Sequence, residues 1–232
     1  NWPKVKSYYI TEDIWSKYEE EAKESPNTQY GKGAEHWIRE WCQKESIKDC
    51  LTDLKDDDIV FVSDCDEIYN PKWFKHDYPI EDIKPIKLKL KVYTYYLNNR
   101  SNEEFYGTLY TMYKNIKNNC LNELRTLGPR IEITDEMMAD KNVKKPVYYK
   151  NGSGWEAGWH FTSMGGYEKV KEKLTDSYTK DSYANDWVLD NLKDNLENNK
   201  DFLGRDFEYK LDEENWPDYL KENKEKYKHL CK

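Results

Sequence analysis

Apolar residues recur at intervals of three and four across residues 34–54: Ala34, Trp37, Ile38 and Trp41, then Ile47, Cys50, Leu51 and Leu54. The spacing predicts an amphipathic helix with an irregularity near Lys44. After Asp56-Asp57-Asp58 come four consecutive apolar residues, Ile59-Val60-Phe61-Val62. Such a run predicts a central strand buried on both faces of a sheet. It stops at Ser63-Asp64-Cys65-Asp66-Glu67. Helix, buried strand and acidic turn make an α/β unit, and ligands of open α/β sheets gather at the carboxyl ends of strands.

Residues 86–96 (IKLKLKVYTYY) alternate, with Ile86, Leu88, Leu90 and Val92 on one face and Lys87, Lys89 and Lys91 on the other. That is the period of a half-exposed strand. Further strands are expected at 4–10, 106–113, 147–149 and 158–162. A Gly-rich turn, Asn151-Gly152-Ser153-Gly154, separates the last two. Helices are expected at 11–24, 118–127, 166–174, 182–196 and 217–230, and a loop at 27–33. With no internal repeat, linker or low-complexity stretch, residues 1–232 read as a single domain.

Composition narrows the classes. The chain has 232 residues, 35% charged and 37% hydrophobic, yet 15% are aromatic, including 20 Tyr and 9 Trp. Disordered segments are poor in aromatics, so a folded domain is expected. Tyr and Trp faces suit stacking on sugar rings, although filling the core is their commoner role. The formal charge of −8 and the lack of a basic cluster argue against a nucleic-acid partner. No 18-residue apolar run exists, so no membrane span is expected in this chain. Five cysteines without CxxC or zinc-like spacing fit a reducing cytoplasm.

The acidic turn carries the candidate chemistry. Carboxylates two apart can direct oxygens at one hard cation, Mg²⁺ or Mn²⁺, which keeps positions free for phosphate oxygens. The competing reading is a solvated turn or helix cap. A calcium EF-hand loop starting at Asp64 fails, because Tyr69 occupies the position that needs Gly. No GxxxxGK[ST] phosphate loop occurs. A phosphatase-like hydrolase using Asp64 as nucleophile matches at the turn alone. A non-catalytic carbohydrate-binding protein is the third class.

A wider pattern resembles glycosyltransferase family 17, the β-1,4-mannosyl-glycoprotein β-1,4-N-acetylglucosaminyltransferase-like enzymes. The residues that carry it are Trp37-Ile38-Arg39-Glu40 with Gln43, the stretch from Asp57 through Ser63-Asp64-Cys65-Asp66-Glu67-Ile68, Tyr95-Tyr96-Leu97-Asn98, Gly158-Trp159-His160-Phe161-Thr162-Ser163-Met164-Gly165-Gly166, and Asn199-Lys200-Asp201 through Arg205. The resemblance implies a GT-A-like domain with a mixed, mostly parallel central sheet flanked by helices. The family's first strand is expected to be missing at the N-terminus. It also implies an inverting glycosyltransferase that moves a sugar, N-acetylglucosamine above all, from a UDP-sugar to a glycan acceptor.

On that likeness Asp64 and Asp66 form the metal–diphosphate motif, and His160 is a candidate third ligand or else a packed structural imidazole. Arg39 and Gln43, four apart on one helical face, line the donor pocket, with a salt-bridged surface Arg39 as the alternative. Inversion needs a carboxylate base beside the acceptor hydroxyl. Glu156, between the Gly-rich turn and Trp159-His160, is the first candidate, with Trp155 beside it to stack on the acceptor; Glu67 is the second. Glu156 capping a turn or pairing with a lysine is the plainer reading. The Lys-, Asn- and Tyr-rich composition suggests a bacterial or viral source.

Overall fold

The computed structural model describes residues 7–24, 35–71, 85–117, 119–127, 156–176 and 184–232. The strand expected at 147–149, the turn at 151–154 with Trp155, and the loop at 27–33 lie outside them. So do residues 4–6 of the first expected strand, while residues 7–10 are not strand.

Strands β1 (Ile59–Val62), β2 (Glu67–Tyr69), β3 (Ile86–Thr94), β4 (Asn99–Ser101), β5 (Phe105–Met112), β6 (Gly158–Thr162) and β7 (Tyr209–Leu211) form one mixed sheet. The order is β1-β5-β3-β4-β7, and β6 joins β3 to β2. Helices α1 (Glu12–Glu24), α2 (Glu35–Glu45), α3 (Tyr113–Lys117), α4 (Leu121–Leu127), α5 (Gly166–Asp176), α6 (Asp186–Glu197), α7 (Asp218–Glu222) and α8 (Lys224–Tyr227) flank it. The chain is therefore α/β with a mixed, helix-flanked sheet.

The sheet is not mostly parallel. Among the described residues only β3 and β6 run parallel, and the other five pairings are antiparallel. Nor is β1 central: its partner among them is β5, at one end of the order. Its unbroken apolar run has another cause. Val60 and Val62 pack with Leu109, Ile116 and Leu121 under the helical layer. Ile59 and Phe61 pack against Ile86, Leu88, Leu90 and Tyr110 on the opposite side. Two different layers thus demand apolar residues at successive positions.

The alternation in β3 holds, with its apolar residues buried and its lysines half-buried. The long helix of 34–54 breaks where the irregularity was expected. α2 ends at Glu45, and a 3₁₀ turn, Ser46–Cys50, continues it. The helix expected at 217–230 is cut into α7, α8 and a final 3₁₀ turn. That segment packs Trp216 beside Tyr93, Leu97, Trp159 and Phe161. The Trp216 indole N–H donates to the Leu97 carbonyl at 2.7 Å.

α5 and α6 close a second core around Tyr95. The loop after α6 is tied by Asp201, whose buried carboxylate accepts the Leu203 and Arg205 backbone N–H groups at 3.0 and 3.2 Å. It also accepts the Arg205 guanidinium at 2.8 and 2.9 Å and the Tyr209 hydroxyl at 3.2 Å. Burial pushes the Asp201 pKa up, but these donors, led by Arg205, outweigh it and hold it below the ordinary carboxylate value.

A depressed folded pKa gives stability that is present above the unfolded value, about 3.9, and lost as pH falls through the folded one. Asp201→Asn is therefore expected to cost about 1–3 kcal/mol at pH 7. The gap to the native chain should shrink as pH falls below about 4. Urea melts across that range check it, and a gap independent of pH would count against the assignment.

Candidate functional site

The acidic turn is held from inside. Val62 ends β1, the Glu67 N–H returns to the Asp64 carbonyl at 3.0 Å, and Glu67 opens β2. The Glu67 side chain, only 1% exposed, reaches back under the turn and accepts the Asp64 N–H at 3.3 Å. The Thr108 hydroxyl, from β5, donates to the same oxygen at 3.2 Å. A Cβ on Gly107 would stand 2.4 Å from the Phe105 ring and 2.5 Å from the Glu67 carboxylate, so a larger residue there would have to displace one of these side chains.

Arg125, from α4, supplies the positive charge. One guanidinium nitrogen donates to Asp64 Oδ1 at 2.7 Å and the other to Glu67 Oε1 at 3.4 Å. The arginine side chain is 8% exposed, whereas that of Asp64 is 48% exposed. Burial raises the Asp64 pKa, yet the hydrogen bond and charge of Arg125, helped by Lys44 and His160, bring it below the ordinary value. Deeper burial, with Asp64 adding to it, keeps the Glu67 pKa raised in spite of Arg125. Two neighbouring carboxylates thus differ: an exposed one held charged and a buried one pushed toward its acid form.

Strand β6 completes the site. β2 and β6 pair with Glu67 opposite His160 and Tyr69 opposite Gly158, and the Phe161 N–H donates to the Asp66 carbonyl at 2.9 Å. The strands approach so closely that a Cβ on Gly158 would lie 2.1 Å from the Ile68 carbonyl oxygen. This pairing places His160 Nε2 3.5 Å from Asp66 Oδ2. The imidazole stacks on Phe105 (centroids 4.0 Å, 21° between planes), and its Nδ1 is buried with no hydrogen-bond partner among the described residues.

Among the described residues no group of three or more His, Cys, Asp or Glu side chains is drawn together for a metal ion. Asp66 and His160 are instead a pair of side chains that each carry an atom able to bind a metal. Two ligands each about 2.1 Å from one divalent ion and at right angles lie about 3 Å apart. The 3.5 Å between them is too long for a good hydrogen bond and close to that span. Mg²⁺-type ions are commonly held by one or two carboxylates, with water and substrate phosphate completing the shell. The Asp66 carboxylate fits such an ion, and the His160 nitrogen suits the softer Mn²⁺ better than Mg²⁺.

Of the residues expected from the sequence, Asp64, Asp66, Glu67 and His160 come together. Arg39 and Gln43 are exposed on α2, with Arg39 over the Trp15 ring at 5.9 Å. The same helix turns Lys44, paired with Glu40, so that its charge acts on Asp64, and Glu40 acts likewise on Arg125. Glu156 is engaged elsewhere. Both its oxygens accept from Arg100, at 2.7 and 2.8 Å, Lys91 lies 3.7 Å away, and Arg100 also binds Asp212 at 3.0 Å. Lys91 aligns with Trp159 and Val92 with His160, and neighbouring strand residues point to opposite faces. Lys91, which pairs with Glu156, therefore extends from the sheet face opposite His160.

Arg125 and Thr108 were not anticipated. Arg125 left a trace, since it falls four residues after Leu121, on the buried side of a short helix. A charge at such a position needs a buried partner. Thr108 left none, being one of several polar residues in β5. Comparison with known proteins finds no matching family model, no matching curated protein and no matching solved structure.

Proposed function

We propose that this chain is a divalent-metal-dependent inverting glycosyltransferase of GT-A-like architecture, moving a sugar, N-acetylglucosamine by its resemblance, from a UDP-sugar to a glycan acceptor. One observation carries the reading. The acidic turn leading into β2 and the Gly158–Thr162 strand, which carry the resemblance from distant parts of the sequence, are paired side by side, and they set Asp66 against His160 at 3.5 Å. Two further segments join them: the Gly165 and Gly166 N–H groups donate to the Tyr95 carbonyl, and the Phe202 N–H to the Tyr95 hydroxyl. A reducing cytoplasm is the compartment this reading adopts.

In this reading Asp66 and His160 hold Mn²⁺ or Mg²⁺, which when bound supplies the positive charge that neutralises a leaving diphosphate. Asp64 stays charged and oriented at the mouth of the site. Glu67 and Thr108 keep the turn from relaxing, so donor phosphates meet a set arrangement rather than a mobile loop. Glu67 acts from beneath the turn through its hydrogen bonds and Glu156 pairs with Arg100, so the proton of the acceptor hydroxyl passes to a carboxylate other than these two as the diphosphate leaves.

UDP is expected to raise the melting temperature in Mn²⁺ and much less in EDTA. Saturation near 100 times Kd corresponds to about 2.7 kcal/mol of added stability. Equal UDP stabilisation in EDTA would remove the metal from the site. Release of UDP from a UDP-sugar separates an enzyme from a protein that only binds carbohydrate.

A further inference from the structure

Arg125 has a role that the metal reading above, on which this inference rests, does not supply. We propose that Arg125 is a resident counter-cation that keeps Asp64 out of the metal shell. The divalent ion is then held by Asp66 and His160, and Asp64 acts as an oriented charge rather than a ligand. The geometry divides the two aspartates. Asp64 Oδ1 accepts a charge-assisted hydrogen bond at 2.7 Å from a guanidinium that is always protonated. Asp66 faces an imidazole at 3.5 Å, with a third of its side chain exposed.

Exchange of Arg125 for a metal at Asp64 is unfavourable for a second reason. The guanidinium is almost fully buried, and its other arm is on Glu67, itself fastened by Thr108 and the Asp64 N–H. Freeing Asp64 would strand a buried positive charge beside one remaining, more distant carboxylate. The fork therefore stays closed, and the acidic turn carries less negative charge toward a cation than its three carboxylates suggest. Arg125 is a positioning residue: it acts on the ion only through Asp64.

Mn²⁺ titration of the whole chain without nucleotide, read by calorimetry or by the spin signal of free Mn²⁺, tests this. Asp66→Asn is expected to weaken Mn²⁺ by about 10-fold or more, and Asp64→Asn by less than about 3-fold, the residue of long-range charge alone. Arg125→Met, of similar length and neutral, is expected to tighten Mn²⁺ several-fold by releasing Asp64. In that background Asp64→Asn should then cost about 10-fold, a coupling that structural damage would not produce.

Equal losses for Asp64→Asn and Asp66→Asn in the native background would overturn the inference while leaving the metal site standing. That comparison decides even if Arg125→Met does not fold. Unchanged or weaker Mn²⁺ binding in a folded Arg125→Met chain would overturn it as well. Native Mn²⁺ affinity in Asp66→Asn would remove the metal site itself, and the inference with it.

Discussion

On the proposed reading, Asp66→Asn is expected to fold as the native chain does and to lose sugar transfer by about 100-fold or more, since it would remove a charged ligand of the metal. The substitution keeps the shape of the side chain. The backbone carbonyl of residue 66, which receives the Phe161 N–H, is unaffected, so the β2–β6 pairing has no reason to part. What changes is the charge facing His160 Nε2. Loss of activity should therefore accompany loss of Mn²⁺ binding with little change in melting temperature. Transfer at the native rate in Asp66→Asn would place the chemistry away from this turn.

The sequence disclosed this turn because several local signals agreed there: an apolar run, an abrupt acidic stop and, far along the chain, a second segment with a histidine. β3 was legible for a similar reason, since nine residues are long enough to display a period of two. β2, β4 and β7 have three residues each, and Asn99-Arg100-Ser101 has no apolar member, so no period exists to be read. Strand direction was misjudged for a physical reason. Burial on both faces, which an apolar run reports, is common in parallel sheets but equally serves an antiparallel strand between two layers.

The site residues divide along the same line. Asp66 and His160 become neighbours only through the register of β2 on β6, which a shared motif can suggest but spacing alone cannot. Glu156, four residues before His160, is near in sequence and yet bound to Arg100, because hydrogen bonding selects the nearest cation rather than the nearest motif. Arg39 and Gln43 share a helical face, but burial of Trp41 and Cys42 turns both outward. Four-residue spacing identified a common face and left its direction open.

Glu45→Ala is expected to destabilise the chain strongly, by about 2–4 kcal/mol. Glu45 ends α2, its side chain is 1% exposed, and its carboxylate reaches the start of α4. There it accepts the Leu121 and Asn122 N–H groups at 3.2 and 3.1 Å and the Asn122 side-chain amide at 3.1 Å, and it pairs with Lys48. The first N–H groups of a helix have no partner within it, and a negative charge there also suits the helix dipole. Alanine leaves two buried N–H donors unpaired and the Asn122 amide with only its bond to the Trp41 carbonyl, at 2.9 Å, which costs more than the lost hydrogen bonds contribute. Glu45→Gln, which keeps an acceptor oxygen and the shape, should recover part of the loss. A chain of this size shifts by about 2–4 °C per kcal/mol, so a fall in melting temperature of roughly 5–15 °C is expected for alanine. Because α4 also carries Arg125, the Asp64 ion pair should loosen with it, and Asp64→Asn should cost less in the Glu45→Ala background than in the native chain. A melting temperature within about 1 °C of native for Glu45→Ala would show that α4 holds its place, and Arg125 its grip on Asp64, without this distant cap.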